Sequence, residues 1–192
     1  MNAIISVSRA EAARAAGAVN EAASAAAPRG RVPATSGIFS ARIDERSFAI
    51  TRGGDDKGSL TAADILAQPI DAPLPKDSSA GAALHLRLYR DQPETGAISH
   101  VHSPAASVIG RAHTRYGAVR IEVWEMQEAL RGVTTHETVV EAPMFDNDQD
   151  AEALVARVAA RLPEPTRDAV PAPGYVLAGD GPTAWGRDAK DA

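Results

Sequence analysis

The stretch Gly96-Ala97-Ile98-Ser99-His100-Val101-His102-Ser103-Pro104 joins a short apolar run, two histidines and a helix start. In an extended strand, residues two apart point to the same side, so His100 and His102 are expected to project together. Ser103 suits the N-cap of a helix and Pro104 its first position. The stretch therefore predicts a strand that ends where a helix begins, which is where α/β folds build their sites.

Strand and helix patterns alternate on both sides of this stretch. Upstream, we predict helices over 9–27, after Thr61 and over about 79–90, and strands over 37–43 and 47–51, with irregular connections over 52–58 and 69–77. Downstream, we predict strands over 118–123, 138–142 and 174–178, the last strand of the chain, and helical segments over 125–130 and 150–162. This alternation is typical of one layered α/β or α+β domain around a sheet.

Length and composition narrow the class of protein. A chain of 192 residues suffices for one domain with a substantial core. The net charge of −5 argues against a nucleic-acid-binding protein, and no apolar run has the length of a membrane span. Glu11, Arg14 and Glu21 interrupt the alanine-rich start, so we do not interpret it as a signal peptide. The chain has no cysteine, which excludes disulfides and fits the cytoplasm.

The histidine pair has two interpretations on chemistry alone. Two neutral imidazoles that converge from one strand are half of a zinc site, and a third ligand must then come from elsewhere. The alternative is a pair of surface or half-buried histidines without a ligand. A metal site would also need an acceptor for the second nitrogen of each ring.

Other polar residues are ambiguous by themselves. Glu125 lies among apolar neighbours, where the pKa of a carboxyl group can rise into the range of proton transfer, but it could equally be a solvated carboxylate in a first helical turn. We interpret His85 as a hydrogen-bonded core histidine, and His136 as a strand cap or a pocket residue. The acidic run 146–150 lacks the glycine and distal glutamate of a calcium loop, so we predict a turn and a helix N-cap there.

Several motifs together resemble one family. In chain order they are Pro33-Ala34-Thr35-Ser36-Gly37, Asp56-Lys57-Gly58-Ser59-Leu60-Thr61, Leu84-His85, Leu88-Tyr89, His100-Val101-His102-Ser103-Pro104, Trp124-Glu125-Met126, Thr134-Thr135-His136-Glu137-Thr138, Pro143-Met144-Phe145-Asp146-Asn147-Asp148-Gln149-Asp150 and Ala184-Trp185-Gly186-Arg187-Asp188. This set resembles the methylthioribulose-1-phosphate dehydratases of methionine salvage, within the class II aldolase/adducin superfamily. The resemblance runs from about residue 30 to the end of the chain.

The resemblance implies a fold, a cofactor and a reaction. The implied fold is a three-layer α/β/α sandwich around a mainly antiparallel sheet, one domain over 1–192 with an N-terminal helix within 1–28, assembled as a homotetramer. His100 and His102 match two zinc ligands, and Glu125 matches the acid/base carboxylate. The implied substrate is a small sugar phosphate, without nucleic acid or membrane as partner. Zinc would polarise a ketone, and a carboxyl group would protonate a departing hydroxyl.

The chain departs from the family at the third metal ligand. Asp180 stands where the family has a histidine shortly before Trp185-Gly186. A two-histidine, one-carboxylate set is a known catalytic zinc combination. The resemblance therefore implies one zinc per subunit, held by His100, His102 and Asp180, although the aspartate arm is shorter and an anionic ligand weakens the Lewis acidity of the metal.

Further departures fall where the resemblance places substrate contacts. The matching residues there are Ser36, Gly37, Gly54, Lys57 and Ser79. Beside them, Ile38 replaces an asparagine, Asp55 replaces an arginine and Gly81 replaces a glutamate. The terminal helix of the family is missing after about residue 188.

These departures leave three hypotheses open. The first is an active zinc-dependent dehydratase with an unusual ligand set. The second is a catalytically impaired paralogue that serves as a binding or assembly module. The third is another sugar-phosphate lyase or epimerase of the class II aldolase type, which the motif Thr134-Thr135-His136-Glu137-Thr138 disfavours.

Overall fold

A computed structural model describes residues 8–75, 78–79, 81–162 and 168–192. The four α-helices of this part of the chain are α1 (Arg9–Ala26), α2 (Ala82–Asp91), α3 (Pro104–His113) and α4 (Ala151–Arg161). Short 3₁₀ helices lie at Ala27–Arg29, Ala62–Asp64, Thr114–Tyr116 and Glu125–Ala129. Residues 1–7 of the predicted N-terminal segment, 76–77 of the second predicted connection and Ala80 of the predicted helix 79–90 lie outside the described residues.

Nine strands of the described residues form one mixed sheet. They are β1 (Ile38–Asp44), β2 (Ser47–Thr51), β3 (Ile65–Pro69), β4 (Ala97–His100), β5 (Ala118–Ile121), β6 (Val140–Asp146), β7 (Val170–Pro171), β8 (Gly174–Ala178) and β9 (Gly181–Gly186). The strand order is β3-β2-β1-β4-β9-β8-β6-β5, with β7 paired to β6. The pairs of β6 with β7 and with β8 are parallel, and the other pairs are antiparallel.

Helices cover both faces of the sheet and give three layers. Alternate residues of β1 point to opposite faces: Phe39, Ala41 and Ile43 pack with the alanine-rich α1 in one core cluster, whereas Ile38 packs with α2 and α4 in the other. α3 lies against β8 and β9, where Gly110 comes close to Ala178. The predicted three-layer fold is confirmed. No helix in the described part of the chain is long and apolar enough to cross a membrane.

The main errors of the sequence prediction concern two strands. β9 was not predicted, and β8 is therefore not the last strand; the reason is that Gly181 and Pro182 open β9 with residues that normally interrupt a strand. β3 was hidden because it follows directly after the single turn Ala62–Asp64, which the capping box of Thr61 with Asp64 begins. The error at β9 bears on the site, because β9 pairs with β4, the strand that contains His100.

Candidate active site

The two histidines and Asp180 meet at one edge of the sheet. The Nε2 atom of His102 lies 3.1 Å from Oδ1 of Asp180, and Nε2 of His100 lies 3.5 Å from Oδ2. The imidazole centroids are 5.1 Å apart. One ligand atom from each of the three residues lies within 4.8 Å of the others, so the structure brings together the three predicted metal ligands.

His100 is oriented from the neighbouring strand. It pairs with Thr183 across β4 and β9, and the Thr183 hydroxyl lies 3.0 Å from Nδ1 of His100. This contact occupies Nδ1 and leaves Nε2 facing Asp180. Sequence reasoning missed Thr183, because only the undetected strand β9 places it beside the histidine.

A tight turn presents Asp180 to the histidines. Asp180 and Gly179 form the two-residue connection between β8 and β9, and Gly179 has a φ of 75° that favours glycine. The Ser107 hydroxyl of α3 donates a 2.7 Å hydrogen bond to the backbone oxygen of Asp180. A Cβ at Gly181 would lie 1.9 Å from the Val101 oxygen, so the turn can approach the histidine segment only with glycine there.

The donor set fits a divalent metal ion. Tetrahedral ligands at about 2.05 Å from zinc lie about 3.3 Å from each other, close to the 3.1 and 3.5 Å distances between Asp180 and the two histidines. Asp180 therefore reaches far enough despite its short side chain. Burial lowers the pKa of His100, which favours the neutral ring that a metal requires, while the Asp180 carboxylate opposes this effect.

A cavity of about 160 Å³ opens beside this cluster. His100, Asp180 and Thr183 line one wall, and apolar side chains form much of the rest, among them Ile38, Leu84, Leu154, Val155 and Leu177. The combination of a polar cluster and an apolar wall is typical of a small-molecule site.

His85 is a buried core residue that also lines the cavity. Its side chain is buried, and Nδ1 lies 2.8 Å from the Ser40 hydroxyl, which is itself 3.1 Å from the Tyr89 hydroxyl. Burial, with a smaller contribution from His100, lowers the pKa of His85 to about 3. The predicted hydrogen-bonded core histidine is confirmed.

A buried lysine holds together two of the loops that contain predicted substrate-contacting residues. The Lys57 ammonium donates to the backbone oxygens of Thr35, Arg52 and Asp55 at 3.2, 3.3 and 2.7 Å. These hydrogen bonds connect the Ser36 segment to the loop that contains Gly54. An isolated antiparallel β-bridge joins Arg52 to Ser78. Burial lowers the pKa of Lys57. Since three carbonyls occupy its ammonium group, Lys57 holds these loops together.

Serine hydroxyls in these loops offer free hydrogen-bonding capacity. The hydroxyls of Ser36, Ser78 and Ser79 are buried and have no hydrogen-bond partner among the described residues. Buried polar groups normally have partners, so unpaired hydroxyls are candidates for ligand or water contacts. Gly37 has a φ of 86° and packs against the His100 oxygen, which connects this segment to the metal cluster.

Ile38 and Gly81, two residues of the cavity wall that differ from the family pattern, lie next to each other. A Cβ at Gly81 would lie 2.6 Å from Cδ1 of Ile38. We expect Gly81→Glu alone to lower the free energy of unfolding by at most about 1 kcal/mol, because only Cδ1 of Ile38, the end of a side chain beside the cavity, must move. Ile38→Asn alone should also destabilise, since Ile38 is buried.

The double variant tests the coupling. Ile38→Asn with Gly81→Glu should cost less than the sum of the two single changes, measured by urea denaturation. Additive costs would contradict the close approach of the two residues.

Glu125 lies far from the metal cluster within one chain. β4 and β5 are four strand spacings apart, roughly 19 Å. β5 ends beside Val140 at the start of β6, whereas the cluster lies at the edge where β6 ends. The Glu125 side chain is 82 % exposed, and its Oε1 lies 3.4 Å from Nδ1 of His136. The structure thus places the predicted acid/base residue outside the cavity of its own chain.

The segment around Glu125 has the features of a contact surface. Val123, Trp124 and Met126 are exposed to 76, 66 and 82 %. Val123 has a φ of 63°, a strained conformation for a β-branched residue, and its amide donates to the His136 oxygen. Exposed apolar clusters of this kind mark interaction sites.

Comparisons with known proteins agree with this architecture. Residues 18–192 match the model of the Class II Aldolase and Adducin N-terminal domain. The chain is 51 % identical to a methylthioribulose-1-phosphate dehydratase from Bradyrhizobium sp. over 91 % of this chain and 82 % of the relative. It is 45 % identical to the enzyme of that name from Parvibaculum lavamentivorans over 86 % of this chain and 79 % of the relative. An l-fuculose-1-phosphate aldolase from Thermus thermophilus matches its fold with a TM-score of 0.72 and 25 % identity over 94 % of this chain and 85 % of that one.

Proposed function

Since the chain belongs to the class II aldolase and adducin family, we propose that it dehydrates 5-methylthioribulose 1-phosphate to 2,3-diketo-5-methylthiopentyl 1-phosphate in methionine salvage, with one zinc ion per subunit, in the cytoplasm. Its relatives at 42–51 % identity are named dehydratases, so the chain is an enzyme of this hydro-lyase type. The convergence of His100, His102 and Asp180 beside a cavity is the observation that carries the proposal.

The metal-binding residues define where the reaction begins. His100, His102 and Asp180 would hold the metal, and Thr183 would keep the His100 ring in position. When bound, zinc supplies Lewis acidity that polarises the C2 ketone and acidifies the C3 proton. The unpaired hydroxyls of Ser36 and Ser79 would bind the phosphate, in loops that Lys57 holds together.

Proton transfer completes the reaction. The Glu125 carboxylate would accept the C3 proton and, as a carboxyl group, deliver it to the C4 hydroxyl, which leaves as water; the resulting enol relaxes to the diketone. We assign the proton transfer at C4 to the Glu125 carboxyl group. A positioned acid/base of this kind contributes about 10²- to 10⁴-fold in rate.

Glu125 can take this role only if another subunit supplies it. Its separation from the cluster in one chain and the exposed apolar residues Val123, Trp124 and Met126 support a homo-oligomer, which we propose to be a tetramer. In this assembly, Glu125 of one subunit would reach the cavity of the next. The same contact would cover the exposed apolar side chains.

A direct assay tests the function. The purified full chain, loaded with zinc, should convert 5-methylthioribulose 1-phosphate to the diketone, followed by NMR, and a chelator should remove the activity. Cleavage of the carbon chain instead would favour an aldolase-type lyase. Retained metal and oligomer without any turnover would favour the impaired binding module.

A further inference from the structure

The carboxylate of Asp180 bears on which metal the site prefers. Two imidazole nitrogens with one carboxylate oxygen form a harder donor set than three imidazoles, and this set with open positions is typical of sites for divalent iron. We propose that Asp180 narrows the advantage of Zn²⁺ over the oxygen-preferring cation Mn²⁺ at this site. The inference rests on the proposed function in that both require a metal at His100, His102 and Asp180.

The geometry suits either kind of coordination. The two carboxylate oxygens face different imidazoles, at 3.1 Å from His102 and 3.5 Å from His100. Neighbouring ligands of an octahedral ion at about 2.1 Å lie about 3.0 Å apart, and those of tetrahedral zinc about 3.3 Å apart. The three residues therefore do not impose the tetrahedral geometry in which zinc is favoured.

Space beside the cluster allows additional ligands. The side chains of His102 and Asp180 are 34 and 21 % exposed, and the cavity adjoins His100. Water or substrate oxygens can therefore complete a six-coordinate shell around a cation. Mn²⁺ gains more from such oxygen ligands than Zn²⁺ does.

The negative charge of Asp180 does not restore the advantage of zinc. Two neutral imidazoles and a carboxylate carry one negative charge, whereas three imidazoles carry none. Coulomb attraction adds a similar favourable contribution for every divalent cation. A bond to a third imidazole would favour zinc over the other cations, and this site lacks that bond.

Competition between two metals tests the inference. The full-length chain is dialysed against ZnCl₂ and against MnCl₂, bound metal is measured by mass spectrometry, and bound Mn²⁺ is also followed by electron paramagnetic resonance. We expect Asp180→His to raise the ratio of the Mn²⁺ to the Zn²⁺ dissociation constant at least about tenfold. Asp71→His, the same change at an exposed aspartate after β3, should leave the ratio unchanged.

The outcomes separate this inference from the proposed function. A ratio that stays constant or falls in Asp180→His, with both metals still bound at the histidines, overturns the inference alone. Binding that is absent in the parent chain, or equal in His102→Ala, overturns the metal-dependent function as well. If circular dichroism shows that Asp180→His does not fold, Asp180→Ala decides: it removes the oxygen ligand and should weaken Mn²⁺ more than Zn²⁺, and equal losses overturn the inference.

Discussion

Replacing Glu125 with glutamine is expected to lower kcat by about 10²- to 10⁴-fold, the contribution of a positioned acid/base group. The amide keeps the size of the side chain but cannot deliver a proton to the C4 hydroxyl. Because Glu125 lies away from His100, His102 and Asp180 in its own chain, the metal bound at these three residues should stay at the level of the parent protein. Steady-state kinetics and metal analysis of the same samples check both parts.

A matched control separates proton transfer from general surface effects. Glu45→Gln makes the same change at an exposed glutamate in the turn between β1 and β2, and should leave kcat unchanged. If Glu125→Gln retains the parent kcat, or if it loses the metal, then Glu125 is not the acid/base residue and the assignment fails.

Local sequence signals predicted the parts of the fold that depend on neighbours in the chain. The Ser103 side chain accepts from the Ala106 amide, and Asp150 accepts from the amides of Glu152 and Ala153, as the N-cap patterns indicate. The pair His100 and His102 converges as the strand spacing predicts. Each of these features is settled within a few residues.

Features that depend on distant pairing were beyond the local sequence. Thr183 orients His100 only because β9 lies next to β4, and Pro182 disguised that strand. Lys57 matches a substrate-contacting residue by resemblance, but its three carbonyl partners come from segments up to 22 residues away. The position of Asp180 came from the resemblance, whereas its reach to both imidazoles depends on the pairing of β9 with β4.

The position of Glu125 could not be predicted from the local sequence either, because it depends on how subunits assemble. Its motif predicts a role at the metal site, yet the strand order places Glu125 four strands away from β4, the strand that contains His100. These two observations are compatible if function is a property of the oligomer. The exposed residues Trp124 and Met126 then belong to the contact that brings Glu125 to its neighbour.

Mixing two inactive variants should restore activity. His102→Ala removes a metal ligand and is expected to abolish turnover, and Glu125→Gln removes the acid/base group. If each site takes its metal ligands from one subunit and Glu125 from the next, random assembly from equal amounts leaves about one quarter of the sites intact. If each site takes both from one chain, no site is intact.

The measurement is the specific activity after co-refolding or co-expression of the two variants. About a quarter of the parent activity supports supply of Glu125 across the subunit contact, and simple mixing of preformed oligomers gives the background. As a control, co-assembly of His102→Ala with His100→Ala should give no recovery, because both changes affect ligands of the same metal in the same chain. Equal recovery in the two mixtures, or none in the first, would rule out the shared site, since only changes on opposite sides of the contact can complement.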